Sequence, residues 1–194
     1  QQLVIKRDIV ETPQGSGVGL VETLTICPSQ PWTSDVEIER PFTVRSARAD
    51  GEGHVICPLK NGWARELPLT GTQVEAEYQL GHTLTGPDTS HLALPVVHAH
   101  AGPLDLAVMT DVTFSSLFAL HASGRELSGA VRYQYLGSRV PIQGTEVRTL
   151  GFWTPSSQPA GRAFDRSLDA FFSLMLPDVP AGPAWLHEIA MVDY

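Results

Sequence analysis

Gly and Pro interrupt this chain so often that no stretch of a dozen residues carries a clean helical stripe, and the segments between them are short, alternating and rich in β-branched residues. The 17 Gly and 15 Pro in 194 residues can punctuate many turns, yet they fall below the level of a low-complexity or disordered chain. Short alternating runs spaced by turn residues bury their apolar faces by stacking sheet on sheet. The expectation is therefore an all-β fold, an antiparallel β-sandwich of jelly-roll type, with about eight strands and one or two short helices. A chain of this length buries roughly 70% of its unfolded surface in one core, so residues 1–194 are expected to form a single β-sandwich domain.

The pattern along the chain supports this. Val74, Ala76 and Tyr78 alternate with Glu75, Glu77 and Gln79, the period of a strand with one wet face. Gly19 to Ile26 reads as a strand ended by Pro28, and Pro41 between two alternating runs marks a strand edge or bulge. Leu92 to Ala99, Leu104 to Phe114, Ala130 to Leu136 and Glu146 to Phe152 read as further strands. Ser115 to His121 is expected to be a short helix, with Ser at its start and Gly124 beyond its end. Phe164 to Met175 has helix-like apolar spacing, although Phe171 to Leu176 before Pro177 reads equally well as a buried strand.

Charge narrows the classes of partner. The formal net charge is -8, whereas a domain that grips phosphates carries a basic stripe or arm; dominant direct nucleic-acid binding is not expected. No apolar run approaches the roughly 20 residues that span a bilayer. No signal-peptide pattern opens the sequence, so a soluble chain without a membrane span is expected, with processing from a precursor left open.

The histidines are the best candidates for chemistry. On a strand, His98 and His100 point to one face, as half of a metal site requires, with His91, Asp105 or His121 as completing ligands. Histidines at the surface or in an interface satisfy the same pattern, and no cofactor is expected. Cys27-Pro28 and Cys57-Pro58 end two strands in similar turns, each followed by a Trp. Either a disulfide joins Cys27 and Cys57, or both are thiols packed as small hydrophobes. There is no Gly-x-Ser-x-Gly elbow, and Gly15 to Gly19 precedes a strand rather than a phosphate-binding helix. Glu75 and Glu77 share a strand face but alternate with apolar residues like an ordinary solvated edge. An enzyme is not expected.

Leu127 to Tyr135 (LSGAVRYQY) resembles the Ser-Gly-then-alternating strand of the jelly-roll coat proteins of icosahedral positive-strand RNA viruses, in particular the small coat subunit of picorna-like plant viruses. Phe171 to Pro177, followed by Trp185 to Tyr194, resembles their closing pair of strands. The likeness covers about seventy residues of the C-terminal half; Leu127 stands where those subunits often carry an aromatic residue, and a basic N-terminal arm is not expected from these residues. What it implies is a virion location, with copies of this chain and other coat-protein chains as partners.

The residues alone lead to a similar place. A sandwich with Pro-rich loops and no convergent polar site suits a structural subunit of a symmetric shell, with Trp153, Pro155, Leu174, Leu176 and Trp185 as loop-borne interface anchors. The alternative is a secreted or cell-surface β-sandwich module that binds a carbohydrate or a receptor through exposed Trp residues and loop polar groups. A His-dependent metalloenzyme ranks behind both.

Overall fold

The computed structural model describes residues 3–14, 17–45, 53–59, 64–69, 73–79, 91–101, 104–113, 115–123, 126–136, 138, 141–155 and 163–176. The strands are β1 (Leu3–Gln14), β2 (Gly17–Pro28), β3 (Asp35–Arg45), β4 (Gly53–Pro58), β5 (Ala64–Pro68), β6 (Val74–Tyr78), β7 (Val96–Ala101), β8 (Leu104–Thr110), β9 (Ser116–Ser123), β10 (Glu126–Leu136) and β11 (Glu146–Pro155); one helix, α1 (Ala163–Met175), follows. Among the described residues these strands pair antiparallel with one another. The larger sheet runs β1-β2-β11-β8-β7-β4-β5 and the smaller β3-β10-β9-β6. The protein is an all-β sandwich with more strands than the sequence suggests.

Alternation along the strands decides which face is dry. Leu24 and Ile26 of β2, Val55 and Cys57 of β4, Val97 and Ala99 of β7, and Leu150 of β11 point inward from the larger sheet. They meet Ile38 of β3, Val74 and Ala76 of β6, Phe118 and Leu120 of β9, and Val131 and Tyr133 of β10. Phe42 of β3 and Phe152 of β11 meet edge-to-face, their ring centroids 5.2 Å apart, a favoured aromatic geometry. Gly129 is demanded by this packing: a Cβ there would run into the Ala119 carbonyl oxygen and lie 2.8 Å from Phe42 Cζ. Pro41 lies within β3, an edge strand, where the missing N–H removes no ladder bond.

Helix α1 covers the other face of the larger sheet. Ala170, Phe171 and Met175 pack on Val96, Ala107, Met109 and Trp153 in a second apolar cluster. Gly151 makes room for it, since a Cβ would strike Met175 Cε and lie 2.8 Å from Met109 Cγ. The helical spacing of 164–175 is thus the pattern that prevails, and Phe171 to Met175 is not a closing strand. The segment 115–121 goes the other way: residues 116–123 are strand β9. Its inward Phe118 and Leu120 are buried, but so is Ala119 on the opposite face, and burial on both sides erases the period-2 signal.

Candidate functional site

His98 and His100 alternate with inward Val97 and Ala99, so both rings lie on the face that α1 covers. His98 is 1% exposed and contacts both the helix and the neighbouring strand. Its Nδ1 lies 2.7 Å from Ser167 Oγ on α1, and its Nε2 lies 3.3 Å from Asp105 Oδ1 on β8. The same carboxylate oxygen is 2.7 Å from His100 Nδ1. Burial by itself would raise the Asp105 pKa, but hydrogen bonds from His98 and His100, joined by the positive charge of either ring whenever it is protonated, hold it below the usual value. An ionised carboxylate only accepts. Both imidazoles therefore donate to Asp105, which leaves Nδ1 of a neutral His98 to accept the Ser167 hydroxyl proton.

The three residue types match a Ser-His-Asp relay, yet Ser167 is 0% exposed, so no substrate carbonyl reaches its hydroxyl while α1 is seated. In this conformation the relay is a polar tether that fixes α1 to β7 and β8. His54 of β4 stands opposite His100 in the ladder, with its Nδ1 3.2 Å from Glu66 Oε1, and extends the row of polar groups across the sheet. His98, His100 and Asp105 are thus brought together as the sequence spacing suggests, but His91 and His121 are not. His91 lies 3.8 Å from Glu77 Oε2, and His121 lines a groove on the smaller sheet. Among the described residues no group of three or more His, Cys, Asp or Glu is arranged to hold a metal ion.

The groove, about 420 Å³, lies on the outer face of the smaller sheet, with Glu39, Thr43, Gln73, His121, Ser128 and Arg132 around it. Its floor is low because Ala119 and Ala130 occupy the central strands, and Arg132 Nε bridges to Glu39 Oε2 at 2.8 Å across one wall. Glu75 of β6 is exposed on this sheet and accepts a hydrogen bond from Gln73 Nε2 at 2.9 Å.

A set of charges inside the sandwich went unread in the sequence. Glu22 is buried and lies 2.6 Å from Arg40 Nε of the facing sheet. Arg148 lies 2.6 Å from Glu146 Oε2 and sits over the Tyr135 ring, 5.2 Å from its centroid. Burial pushes the Tyr133 and Tyr135 phenols well above their ordinary value, and Tyr133 donates to the Thr149 carbonyl at 3.3 Å. One signal was present: Glu22 occupies an inward place in the alternation of Leu20, Glu22, Leu24 and Ile26. A buried ion pair of this kind adds little net stability over apolar residues of the same size, although removing one partner alone is costly.

Cys27 and Cys57 are free thiols, which corrects the disulfide alternative. Three strands lie between β2 and β4, a separation of about 19 Å at sheet spacing, against the roughly 7 Å limit for bridging Cα atoms. Burial pushes the Cys57 thiol up to about 11, against a smaller lowering by Arg65. Cys57 is therefore expected to resist iodoacetamide at pH 8 in the folded protein and to react once urea unfolds it, read by mass spectrometry of the labelled peptide. Rapid native labelling would show that β4 opens far more often than its burial implies.

Of the expected interface anchors, Trp153 is corrected: it is 2% exposed beneath α1, on a strand and not in a loop. Leu174 and Leu176 are half-buried against the same cluster. Trp185, like Trp63 and the stretch 185–194, lies outside the described residues. The large apolar side chains that do face outward are Ile9, Val10, Val18, Leu20, Val147 and Phe172. Among the described residues no helix is long and apolar enough to cross a membrane.

No family model matches the sequence, and no curated protein sequence matches it either. Among solved structures, the Slr1438 protein from Synechocystis sp. PCC 6803 aligns with a TM-score of 0.46 and 12% identity, covering 80% of this chain and 56% of that one. The chain thus spans a little over half the length of that protein.

Proposed function

We propose that the chain is a structural subunit that acts by binding other protein chains, in its fullest form a coat subunit of a symmetric viral shell with its own copies and other coat chains as partners. One observation carries this reading. The dry face of the larger sheet continues past its cover: Phe152 packs on the core, but Leu20 opposite it is 37% exposed, Val18 two residues back is exposed, and Ile9 on the edge strand is 47% exposed. Apolar side chains left exposed in a contiguous row on one face are a signature of an interaction surface, and a flat row along a sheet suits another protein chain. Virion location follows from the coat reading and is part of the proposal.

The test is the native mass of the protein by light scattering, with negative-stain imaging, alone and together with the proteins made beside it. The expected result is an oligomer or closed particle that Leu20→Asp disperses while circular dichroism stays native. A wild-type monomer across the concentration range would overturn the reading. The second reading, a carbohydrate-binding module, is favoured by the polar groove on the smaller sheet, and a monomer whose intrinsic fluorescence or heat of mixing responds to glycans would establish it.

A further inference from the structure

The strand β1 is twelve residues long and lies at the edge of the larger sheet, with β2 as its pairing partner among the described strands. Half of its N–H and C=O groups therefore face away from β2. A long edge strand is a template for another strand. Ile9, Val10 and Glu11 in its second half are all exposed, so neither face of that segment is covered.

We propose that β1 is a two-fold seam between copies of this chain, the two β1 strands pairing antiparallel and joining two seven-stranded sheets into one. The proposal rests on the assembly reading above and names its partner and register. Along an edge only alternate residues present outward N–H and C=O groups, and residues directly opposite one another either both face the seam or both face away. Two identical antiparallel strands must therefore pair with one residue opposite its own copy.

The sequence of β1, Leu-Val-Ile-Lys-Arg-Asp-Ile-Val-Glu-Thr-Pro-Gln, separates the choices. An axis through Lys6, Arg7 or Asp8 sets a charge against itself, which opposes pairing. An axis through Val10 sets Arg7 opposite Pro13 and matches no opposite charges. An axis through Ile9 places Arg7 opposite Glu11 of the second copy, twice by symmetry, and sets Ile9 against its own copy. Ile9 is opposite Glu22 and Glu11 opposite Leu20 in the β1-β2 ladder, so Ile9 and Leu20 are diagonal neighbours on one face. Pairing through Ile9 then joins the two exposed Ile9-Leu20 pairs into one apolar stripe across the seam.

The test uses the full chain. In a Cys27→Ser background, Ile9→Cys is expected to give a disulfide-linked dimer under mild oxidation, because directly opposite Cβ atoms in an antiparallel pair are about 5 Å apart. Val10→Cys, opposite Asp8 in this register, is expected to cross-link at least about tenfold more slowly. By sedimentation equilibrium, Arg7→Glu should weaken association by at least about tenfold, and adding Glu11→Arg should restore it. A wild-type monomer overturns the assembly reading and the seam with it. A wild-type oligomer in which Ile9→Cys does not cross-link and Arg7→Glu changes nothing overturns the seam alone. Circular dichroism reports whether a charge variant has unfolded, in which case the cross-linking result decides.

Discussion

Replacing Trp153 by Ala is expected to destabilise the protein by about 3–5 kcal/mol, the range for a large aromatic removed from a packed core, and to lower its melting temperature by on the order of 10 °C. The indole lies between α1 and the larger sheet, against Phe171 and Met175. It is also packed from the side, where the backbone of Gly17 lies so close that a Cβ there would run into its ring. Urea unfolding followed by circular dichroism measures the loss. If Trp153 were instead an interface anchor, the isolated variant would keep its unfolding midpoint and lose only association; that outcome would refute the position of α1. Phe172, half exposed and meeting Phe171 edge-to-face at 5.5 Å, is the internal control, and its replacement by Ala is expected to cost no more than about 1.5 kcal/mol.

Removing the imidazole at the centre of the tether gives the second large effect. His98→Ala strips the contacts of one ring to Ser167 and Asp105 and leaves the Asp105 carboxylate short of one donor, a loss of about 3 kcal/mol. The effect should be coupled: Ser167→Ala alone is milder, and the double variant should lose less than the two singles combined. It should also depend on pH with a definite sign. The folded pKa of Asp105 is lowered, so its contribution is fully present above the ordinary carboxylate range, near pH 4, and is lost as pH falls through the lower folded value. His98→Ala should therefore flatten part of the acid limb of the stability curve while lowering the plateau at neutral pH. Equal acid limbs in both proteins, measured by urea unfolding between pH 2.5 and 7, would show that the His98-Asp105 contact adds nothing to folding.

What the sequence disclosed follows from where each signal is physically strong. Val74 to Tyr78 declares itself because one face is wet, and Pro41 points to an edge because a missing N–H is tolerated only there. Ser115 to His121 has the look of a short helix and is strand from Ser116 on, because Ala119 is buried under the groove on the face that would otherwise be polar. The strand alternative for Phe171 to Leu176 gives way to a helix through Met175, because Gly151 leaves a trough in the sheet for Met175 to enter. Leu127 to Tyr135 does lie in β10. Within the candidate site, His98, His100 and Asp105 were legible because strand period and a short β7-β8 connection bring them together. Ser167 was not, since nothing local to α1 says which strand it will cross. Trp153 looked like a loop anchor because Pro155 follows it closely, whereas its environment is set by a helix that begins eight positions beyond that proline.

The order of the larger sheet also governs when this fold can exist. The hairpin of β1 and β2 joins the rest of its sheet through β11, and that ladder pairs Thr23 with Thr149. A chain emerging from the ribosome carries a completed hairpin whose docking partner has not yet been made. Pairing across so long a loop is entropically slow and places the rate on the order of milliseconds to seconds. Throughout that interval the second edge of β2 is as open as the first edge of β1, so the nascent chain, more than the finished protein, is the species in need of a chaperone.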